Sequence, residues 1–234
     1  MHPADGLNYM CKIAAWLATL AWLVPEAASA AGASPEQCLA ACDVSWDSPS
    51  RDAFDSMPLS GWHGAGANVW FSDGALRLYL AHAAAFDADD VLRKIGALTV
   101  RTPGVDLSQP KSFRQSLDLA HGTIAVELSA QDGTTLSYRL QFCGETLVLD
   151  AKASRPLRLE VAFGSWRAKP QGPAEETVEI RDGALVVTHR NRAATRGAVL
   201  AAEQKVPEKQ RVNPAAGRVF GCAISAGEEL AWGR

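Results

Sequence analysis

Three Asp-Gly pairs, each placed between runs of alternating apolar and polar residues, constrain the fold of this chain more than any other feature. They are Asp73-Gly74, Asp132-Gly133 and Asp182-Gly183. An Asp-Gly pair favours a tight hairpin because both residues tolerate the positive φ angles that a two-residue turn requires. The sequence therefore predicts three antiparallel hairpins, and it argues against the strand-helix-strand units of a parallel sheet.

Alternation with a period of two continues through most of the chain beyond Trp46, as is typical of strands with one face on a core. The clearest runs are 124–128 and 136–142, on either side of the second Asp-Gly pair. Further strands are predicted at 146–150, 157–163, 177–181, 184–189 and 218–224, with loops at 169–174 and 203–217.

A single all-β domain accounts for this arrangement. With 234 residues and 47% hydrophobic content, the chain can bury a substantial core without dividing into several domains. Antiparallel hairpins with short connections favour two sheets packed face to face. We predict an antiparallel β-sandwich of the supersandwich type over residues 46–226, followed by a tail at 227–234.

The first thirty residues have the layout of an export signal. Lys12 precedes an apolar run at 13–24, and Ala28-Ser29-Ala30 forms a small-residue cleavage site. The run is shorter than the roughly 20 residues that span a bilayer. The sequence therefore predicts cleavage after Ala30, a secreted or periplasmic location and no stable membrane anchor; a buried helix is the alternative interpretation.

A short helix is predicted in the lead-in at 31–45, because Ser34 is a good N-cap, Pro35 suits the first turn and Gln37 can reach back. It would place two cysteines one turn apart, where a direct bond between them is awkward. Three disulfide pairings are open, pairing with the body of the domain is favoured, and buried free thiols are the alternative. The cysteines concerned are Cys38, Cys42, Cys143 and Cys222.

Charge and motifs exclude several classes of function. The chain has 23 basic and 26 acidic residues without a run of one sign, so no nucleic-acid partner is expected. The glycines Gly61, Gly64 and Gly66 are not spaced as in a dinucleotide-binding loop. The cysteine and histidine spacing does not match a zinc site. We expect neither a metal nor a cofactor.

Two tryptophans near polar side chains are the best indication of a ligand. Trp62 and Trp70, together with His63 and Asn68, could offer sugar an apolar platform with a polar edge. Core packing is the alternative for both tryptophans, and it is favoured for Trp70.

Two further groups are candidate carbohydrate-binding residues. Asp87 belongs to an acidic cluster with Asp89 and Asp90, for which plain solvent exposure or capping of a following helix is the alternative. His189, Arg190 and Asn191 end a predicted strand, where structural anchoring of the strand end is favoured over ligand binding. We expect no catalytic residue in the chain, because hydrolysis of a glycosidic bond needs two suitably placed carboxyl groups.

A series of short motifs carries a family resemblance. They are Trp46-Asp47-Ser48-Pro49-Ser50, Ser56-Met57-Pro58-Leu59, Asn68-Val69-Trp70, Tyr79, Leu92-Arg93-Lys94-Ile95-Gly96, Phe113-Arg114-Gln115-Ser116-Leu117-Asp118-Leu119, Ser165-Trp166-Arg167, His189-Arg190-Asn191 and Arg218-Val219-Phe220-Gly221. In this order they resemble the functionally unassigned N-terminal domain, domain of unknown function 5703, of bacterial glycoside-hydrolase-like proteins. The resemblance implies a β-sandwich module that precedes an (α/α)6 barrel similar to glycoside hydrolase family 95.

The resemblance also implies where function would reside. The family's catalytic carboxylates are expected from the barrel, and we expect the barrel to be absent from this chain. Polar family positions after Met57-Pro58-Leu59 are replaced here by Ser60-Gly61-Trp62-His63-Gly64. The implied function is a non-catalytic module of a secreted glycoside-hydrolase-like system, with a separately encoded helical barrel as partner and glycan as candidate ligand. The alternatives are a free-standing carbohydrate-binding protein and a truncated or degenerate structural remnant.

Overall fold

The computed structural model describes residues 34–88, 91–165, 176–191, 196–210 and 215–226. The predicted export signal, Asp89, Asp90 and the predicted loop at 169–174 lie outside the described residues. Contacts divide the chain into two units, Met1–Cys42 and Asp43–Arg234.

The first unit contains helix α1, Pro35–Ala40, and it begins where the sequence predicts. The Ser34 hydroxyl accepts a hydrogen bond from the backbone N–H of Gln37 at 3.2 Å, and the Gln37 side chain accepts from the Ser34 N–H at 2.9 Å. This reciprocal pair satisfies two N–H groups that a helix start leaves without partners.

The second unit is all-β, as predicted, and its paired strands are antiparallel. The strands are β1 Val44–Trp46, β2 Met57–Ser60, β3 Ala65–Ser72, β4 Ala75–Phe86, β5 Leu92–Arg101, β6 Ser112–Asp118, β7 Thr123–Ser129, β8 Thr135–Cys143, β9 Thr146–Ala153, β10 Glu160–Gly164, β11 Glu176–Arg181, β12 Ala184–Arg190 and β13 Val219–Ile224. One five-stranded sheet has the order β1-β6-β7-β8-β9, a second has the order β10-β5-β4-β3-β2, and a three-stranded sheet has the order β11-β12-β13.

The two five-stranded sheets form a sandwich around one apolar core. Both sheets supply buried residues, among them Val69, Phe71 and Leu78 from one sheet and Ile124 and Leu140 from the other. Burial of such side chains stabilises the fold by roughly 1.5–3 kcal/mol each. This core fixes the face that each strand turns outward, since successive side chains point to opposite sides of a sheet.

Two buried hydrogen bonds connect the sheets across this core. The Gln115 side-chain amide donates to the Val69 carbonyl at 3.1 Å, and Gln115 is fully buried. The hydroxyls of Thr102 and Tyr138 lie 3.1 Å apart, and both residues are buried. Burial raises the pKa of Tyr138, and the hydrogen bond with Thr102 opposes that rise.

The three predicted hairpins are confirmed. Residues Ser72 and Ala75 pair across the first turn, Ser129 and Thr135 flank the second, and Arg181 and Ala184 pair across the third. Asp and Gly both have positive φ in the first and third turns. The second turn differs, because only its glycine has positive φ and the loop spans 130–134.

Other expectations need correction. Helix α2, Arg196–Glu203, precedes the predicted loop at 203–217 and lies in a segment for which the sequence predicts no element. A 3-10 turn, Glu208–Gln210, lies inside that loop. Two helical turns are too short to produce clear periodicity. Strand β10 begins at Glu160, and not at Leu157, because Leu157 contacts the core without pairing.

The cysteines also differ from expectation. The thiols of Cys38, Cys42 and Cys143 are free and exposed, so these three are neither paired nor buried; Cys222 is half-buried. Within the described residues, no helix is both long and apolar enough to cross a bilayer.

Candidate carbohydrate-binding face

The outward face of the β10-β5-β4-β3-β2 sheet carries the most suitable arrangement for a ligand. Because Val69 and Phe71 point into the core, Asn68 and Trp70 lie on the opposite side of β3. Trp70 is 5% exposed. Its ring meets the ring of Tyr79 edge-on, with centroids 4.6 Å apart. Trp70 is therefore buried as expected, but outside the main core.

The strand register explains why this face is indented. Tyr79 pairs with Ala97, and Ala97 pairs with Gly164, so one large side chain is followed by two small ones across adjacent strands. The space beside Tyr79 forms an open groove of about 280 Å³. We call it the outer-face groove, and its lining residues are Trp70, Arg77, Tyr79, Ala97, Leu98, Thr99, Gly164 and Ser165.

Positive charge borders the groove. The Lys94 ammonium lies 3.9 Å from the centroid of the Tyr79 ring, a cation-π contact. Arg77 stands opposite Trp70 in the register. An Arg77 terminal nitrogen lies 3.2 Å from an Asp73 carboxylate oxygen, but the Asp73 side chain is 81% exposed and the pair contributes little.

Two neighbouring groups complete the polar border. The Ser165 hydroxyl donates to the Glu176 carboxylate at 3.0 Å. Asn68, which pairs with Tyr79, is exposed on the same face. An aromatic wall with hydrogen-bonding groups around it can hold the apolar face of a sugar and its hydroxyl edge together.

Trp62 and His63 lie away from this groove, in the 3-10 turn Trp62–Gly64 between β2 and β3. Trp62 is 72% exposed, and its backbone N–H donates to the Gly144 carbonyl at 2.9 Å. His63 has a φ of 54°, in the left-handed region. The structure thus brings Asn68 and Trp70 to the sheet face and leaves Trp62 and His63 at a turn.

Asp87 is held in place by its neighbours. Its side chain is 15% exposed, it forms an ion pair with Arg93, and it accepts a hydrogen bond from the Val91 N–H at 3.0 Å. The alternative of plain solvent exposure is therefore wrong for Asp87. The capping alternative also fails, because the residues after Val91 form strand β5 and not a helix.

The segment His189 to Asn191 has the contacts of a structural anchor. The Asn191 amide donates to the carbonyls of Phe86 at 2.8 Å and Ala215 at 2.9 Å, which ties the end of β12 to the end of β4. His189 and Asn191 are 6% and 4% exposed, respectively. Arg190 is exposed.

Several residues of the groove were missed by sequence reasoning. Arg77 and Tyr79 alternate with the core residues Leu76 and Leu78, which identifies them as outward-facing on a strand. The tight Asp73-Gly74 turn then places this strand beside Trp70. That pattern was present in the sequence. Ala97 and Thr99 lie on β5, which directly follows β4 in the chain and pairs with it. Gly164 lies on β10, whose pairing with β5 is not local.

The remaining titratable groups offer little for catalysis or metal binding. Within the described ranges, no group of three or more His, Cys, Asp or Glu residues is arranged to hold a metal. Asp118 accepts hydrogen bonds from the backbone N–H and side chain of His121, which lower its pKa.

These features define an antiparallel β-sandwich module with an indented, aromatic-lined outer face. A sequence model of the family described as Domain of unknown function (DUF5703) matches residues 45–179. The match covers more than half of the chain, includes both sheets of the sandwich and ends within β11, so the chain belongs to this family. A search of curated proteins finds no match.

Proposed function

We propose that this chain is the non-catalytic N-terminal module of a secreted glycoside-hydrolase-like system and that it contacts glycan through the outer-face groove. The observation that carries the proposal is the Trp70–Tyr79 wall beside the small residues Ala97 and Gly164. Sugar rings present a C–H face to aromatic side chains and hydroxyls to polar neighbours. The groove offers both kinds of contact.

The direction of the shifted pKa values supports a non-catalytic role. A glycosidase acid needs a carboxyl group with a raised pKa, beside a second carboxyl group about 5–9.5 Å away. Asp106, Asp118 and Asp132 have shifted pKa values, and hydrogen bonds lower the pKa of each one. Such groups remain ionised and are poor proton donors at neutral pH.

Packing against a helical barrel is supported by apolar residues on β11. Val178 is 57% exposed and Ile180 is 58% exposed. They pair with Val187 and Leu185 of β12 and therefore share one face of the three-stranded sheet. A partner domain would remove this apolar surface from water. Co-purification with a separately encoded helical-barrel protein of the glycoside-hydrolase type tests this part, and Ile180→Lys should abolish it.

Glycan binding is tested by titrating the exported chain against a panel of neutral and acidic oligosaccharides in a calorimeter. We expect Tyr79→Ala to weaken binding at least tenfold, because it removes half of the aromatic wall. Trp62→Ala is the matched control, since it removes an exposed aromatic ring outside the groove. Circular dichroism melting establishes that both variants are folded.

A free-standing carbohydrate-binding protein that uses the turn is the second candidate function. It is favoured by the 72% exposure of Trp62, next to the exposed His63. If Trp62→Ala abolishes glycan binding and Tyr79→Ala leaves it unchanged, the site is the turn. If no oligosaccharide binds, the chain is a structural module or a remnant.

A further inference from the structure

We infer that the outer-face groove binds an acidic saccharide, with Arg77 and Lys94 holding the carboxylate of a uronic acid residue. The inference rests on the proposed glycan contact and specifies its chemistry. It is carried by the kinds of charge at the groove and by an unsatisfied donor on Arg77.

The charges bordering the groove favour an anion. Arg77 lines the groove, and Lys94 is held against the Tyr79 ring at its border. Two carboxylates of the described residues near the groove have partners. Asp73 pairs with Arg77 from solvent, and Glu176 accepts the Ser165 hydroxyl. Among the described residues that line the groove, Arg77 is the charged one and none carries a carboxylate.

Arg77 gives the clearest indication that the ligand is an anion. Its Nε is buried and has no acceptor among the described residues. A buried donor without an acceptor is costly, so such groups are normally satisfied by protein, water or ligand. A carboxylate binds the Nε and a terminal nitrogen of a guanidinium together, which gives a strong and directional contact.

The Asp73 pair does not prevent this contact. Asp73 lies in the hairpin turn, and its side chain is 81% exposed, so its ion pair with Arg77 is weakened by solvent. A ligand carboxylate in the groove would be less exposed to water. It can therefore compete with Asp73 for the guanidinium, and it reaches the buried Nε when the Arg77 side chain turns toward the groove.

The size and lining of the groove select a saccharide over a small inorganic anion. Its volume of 280 Å³ lies near the lower end of the roughly 300–1,000 Å³ found for small-molecule pockets. Trp70 and Tyr79 supply an aromatic wall, and a bare phosphate or sulfate has no apolar face that could pack against it. A sugar ring that carries a carboxylate uses the wall and the cations together.

The test compares matched ligands that differ only in charge. The exported chain is titrated with oligogalacturonate and with the same oligomer as its methyl ester, and then with oligomers of alginate and glucuronoxylan. We expect at least one acidic oligomer to bind. If it is oligogalacturonate, the ester should bind at least tenfold more weakly, and raising the salt concentration should weaken binding of any acidic oligomer.

Substitutions then locate the site. Arg77→Gln and Lys94→Gln should each weaken binding of the acidic oligomer about tenfold. Arg114→Gln, an exposed arginine on the outer face of the other sheet, should leave it unchanged. Lys94 is exposed, so Lys94→Gln keeps the test decisive if Arg77→Gln fails to fold.

Each outcome separates this inference from the proposed function. If neutral oligomers bind as well as acidic ones and Tyr79→Ala weakens both, the glycan contact stands and the preference for acid is overturned. If inorganic phosphate or sulfate competes with equal affinity, the groove is a plain anion site, and the inference that its ligand is a saccharide is wrong. If no saccharide binds, the inference and the glycan contact both fail.

Discussion

Gly61 shows how one backbone position controls the packing of the turn before β3. A Cβ atom at Gly61 would overlap the Gly144 carbonyl oxygen and lie 2.6 Å from the Phe142 ring. We expect Gly61→Ala to destabilise the fold by about 1–3 kcal/mol, because the two hairpins must move apart to admit the methyl group. Urea unfolding monitored by circular dichroism measures the change.

Gly66 in the same hairpin is the matched control. A Cβ there would meet only the Leu59 carbonyl oxygen, at an ordinary 3.7 Å. Gly66→Ala should therefore be neutral or stabilising by about 0.5–1 kcal/mol, since glycine in a strand has more conformational entropy to lose on folding than alanine. Equal destabilisation by the two substitutions would show that the close approach at Gly61 is not the cause.

The hydroxyl pair of Thr102 and Tyr138 is a second test at the residue scale. Tyr138→Phe removes one partner and leaves the Thr102 hydroxyl buried without its bond. We expect a loss of about 1–3 kcal/mol in the free energy of unfolding. In a double-mutant cycle, Thr102→Val should cost less when it is added to the Tyr138→Phe variant than when it is made in the natural chain. If the losses in the free energy of unfolding from the two substitutions are additive, the hydroxyls of Thr102 and Tyr138 are not hydrogen-bonded to each other.

At the scale of elements, Asn191 connects the three-stranded sheet to the sandwich. Its amide bonds the Phe86 carbonyl at the end of β4 and the Ala215 carbonyl before β13. Asn191→Ala should remove the side-chain donor from both carbonyls, although the Ala215 carbonyl keeps the Arg218 N–H at 3.2 Å. We expect a cost of about 1–3 kcal/mol, because the site is buried. Hydrogen exchange should speed up most in β12 and β13.

Arg190 supplies the control for this prediction. It is exposed, and its side chain lies 3.4 Å from the Gly217 carbonyl, a weak contact. Arg190→Ala should change the free energy of unfolding by less than about 0.5 kcal/mol. If exchange in β12 and β13 is the same for Asn191→Ala and the natural chain, Asn191 does not anchor the sheet.

The elements also show where local reasoning from sequence succeeds. Turns such as Asp182-Gly183 were predictable because the requirement for positive φ is met by the two turn residues themselves. The start of β10 was not predictable in this way. The residues before Glu160 alternate as in a strand, but Leu157 packs against the core and has no pairing partner in a neighbouring strand. Pairing depends on a distant strand, which periodicity cannot identify.

At the scale of the whole molecule, the shifted pKa values predict the response of stability to pH. Hydrogen bonds from Ser108, His121 and Thr134 lower the pKa of Asp106, Asp118 and Asp132 from the ordinary 3.8. The unfolded chain therefore binds protons at a higher pH than the folded chain does. The stability that these three aspartates contribute is fully present above about pH 4. That contribution is lost as the pH falls through the lowered pKa values.

Tyr138 acts at the opposite end of the pH range. Burial raises its pKa, so the unfolded chain loses the phenolic proton first, and stability should fall as the pH rises above about 10. Melting temperatures measured across pH should show both declines. Replacing the three aspartates by asparagine should flatten the acid limb, and an unchanged acid limb would contradict this assignment.

The whole chain is also predicted not to hydrolyse glycosides. Asp106, Asp118 and Asp132 have a lowered pKa, which is the wrong direction for a proton donor, and Asp87 forms an ion pair with Arg93. Incubation with a panel of oligosaccharides should release no sugar above the level of a heat-treated sample. Release that Asp87→Asn abolishes would identify an active site at Asp87.

The sequence by itself determined the all-β class, the three hairpins and the start of α1, because each depends on neighbouring residues whose φ angles, caps and alternation are local properties. It also marked Trp70 as a residue of interest. Only the tertiary structure decided that Trp70 lies on the outer face, that Tyr79 and Arg77 join it, and that Ala97 and Gly164 leave space beside them. That groove is completed by β10, which pairs with the distant strand β5, and register is set by how the two sheets bury their core.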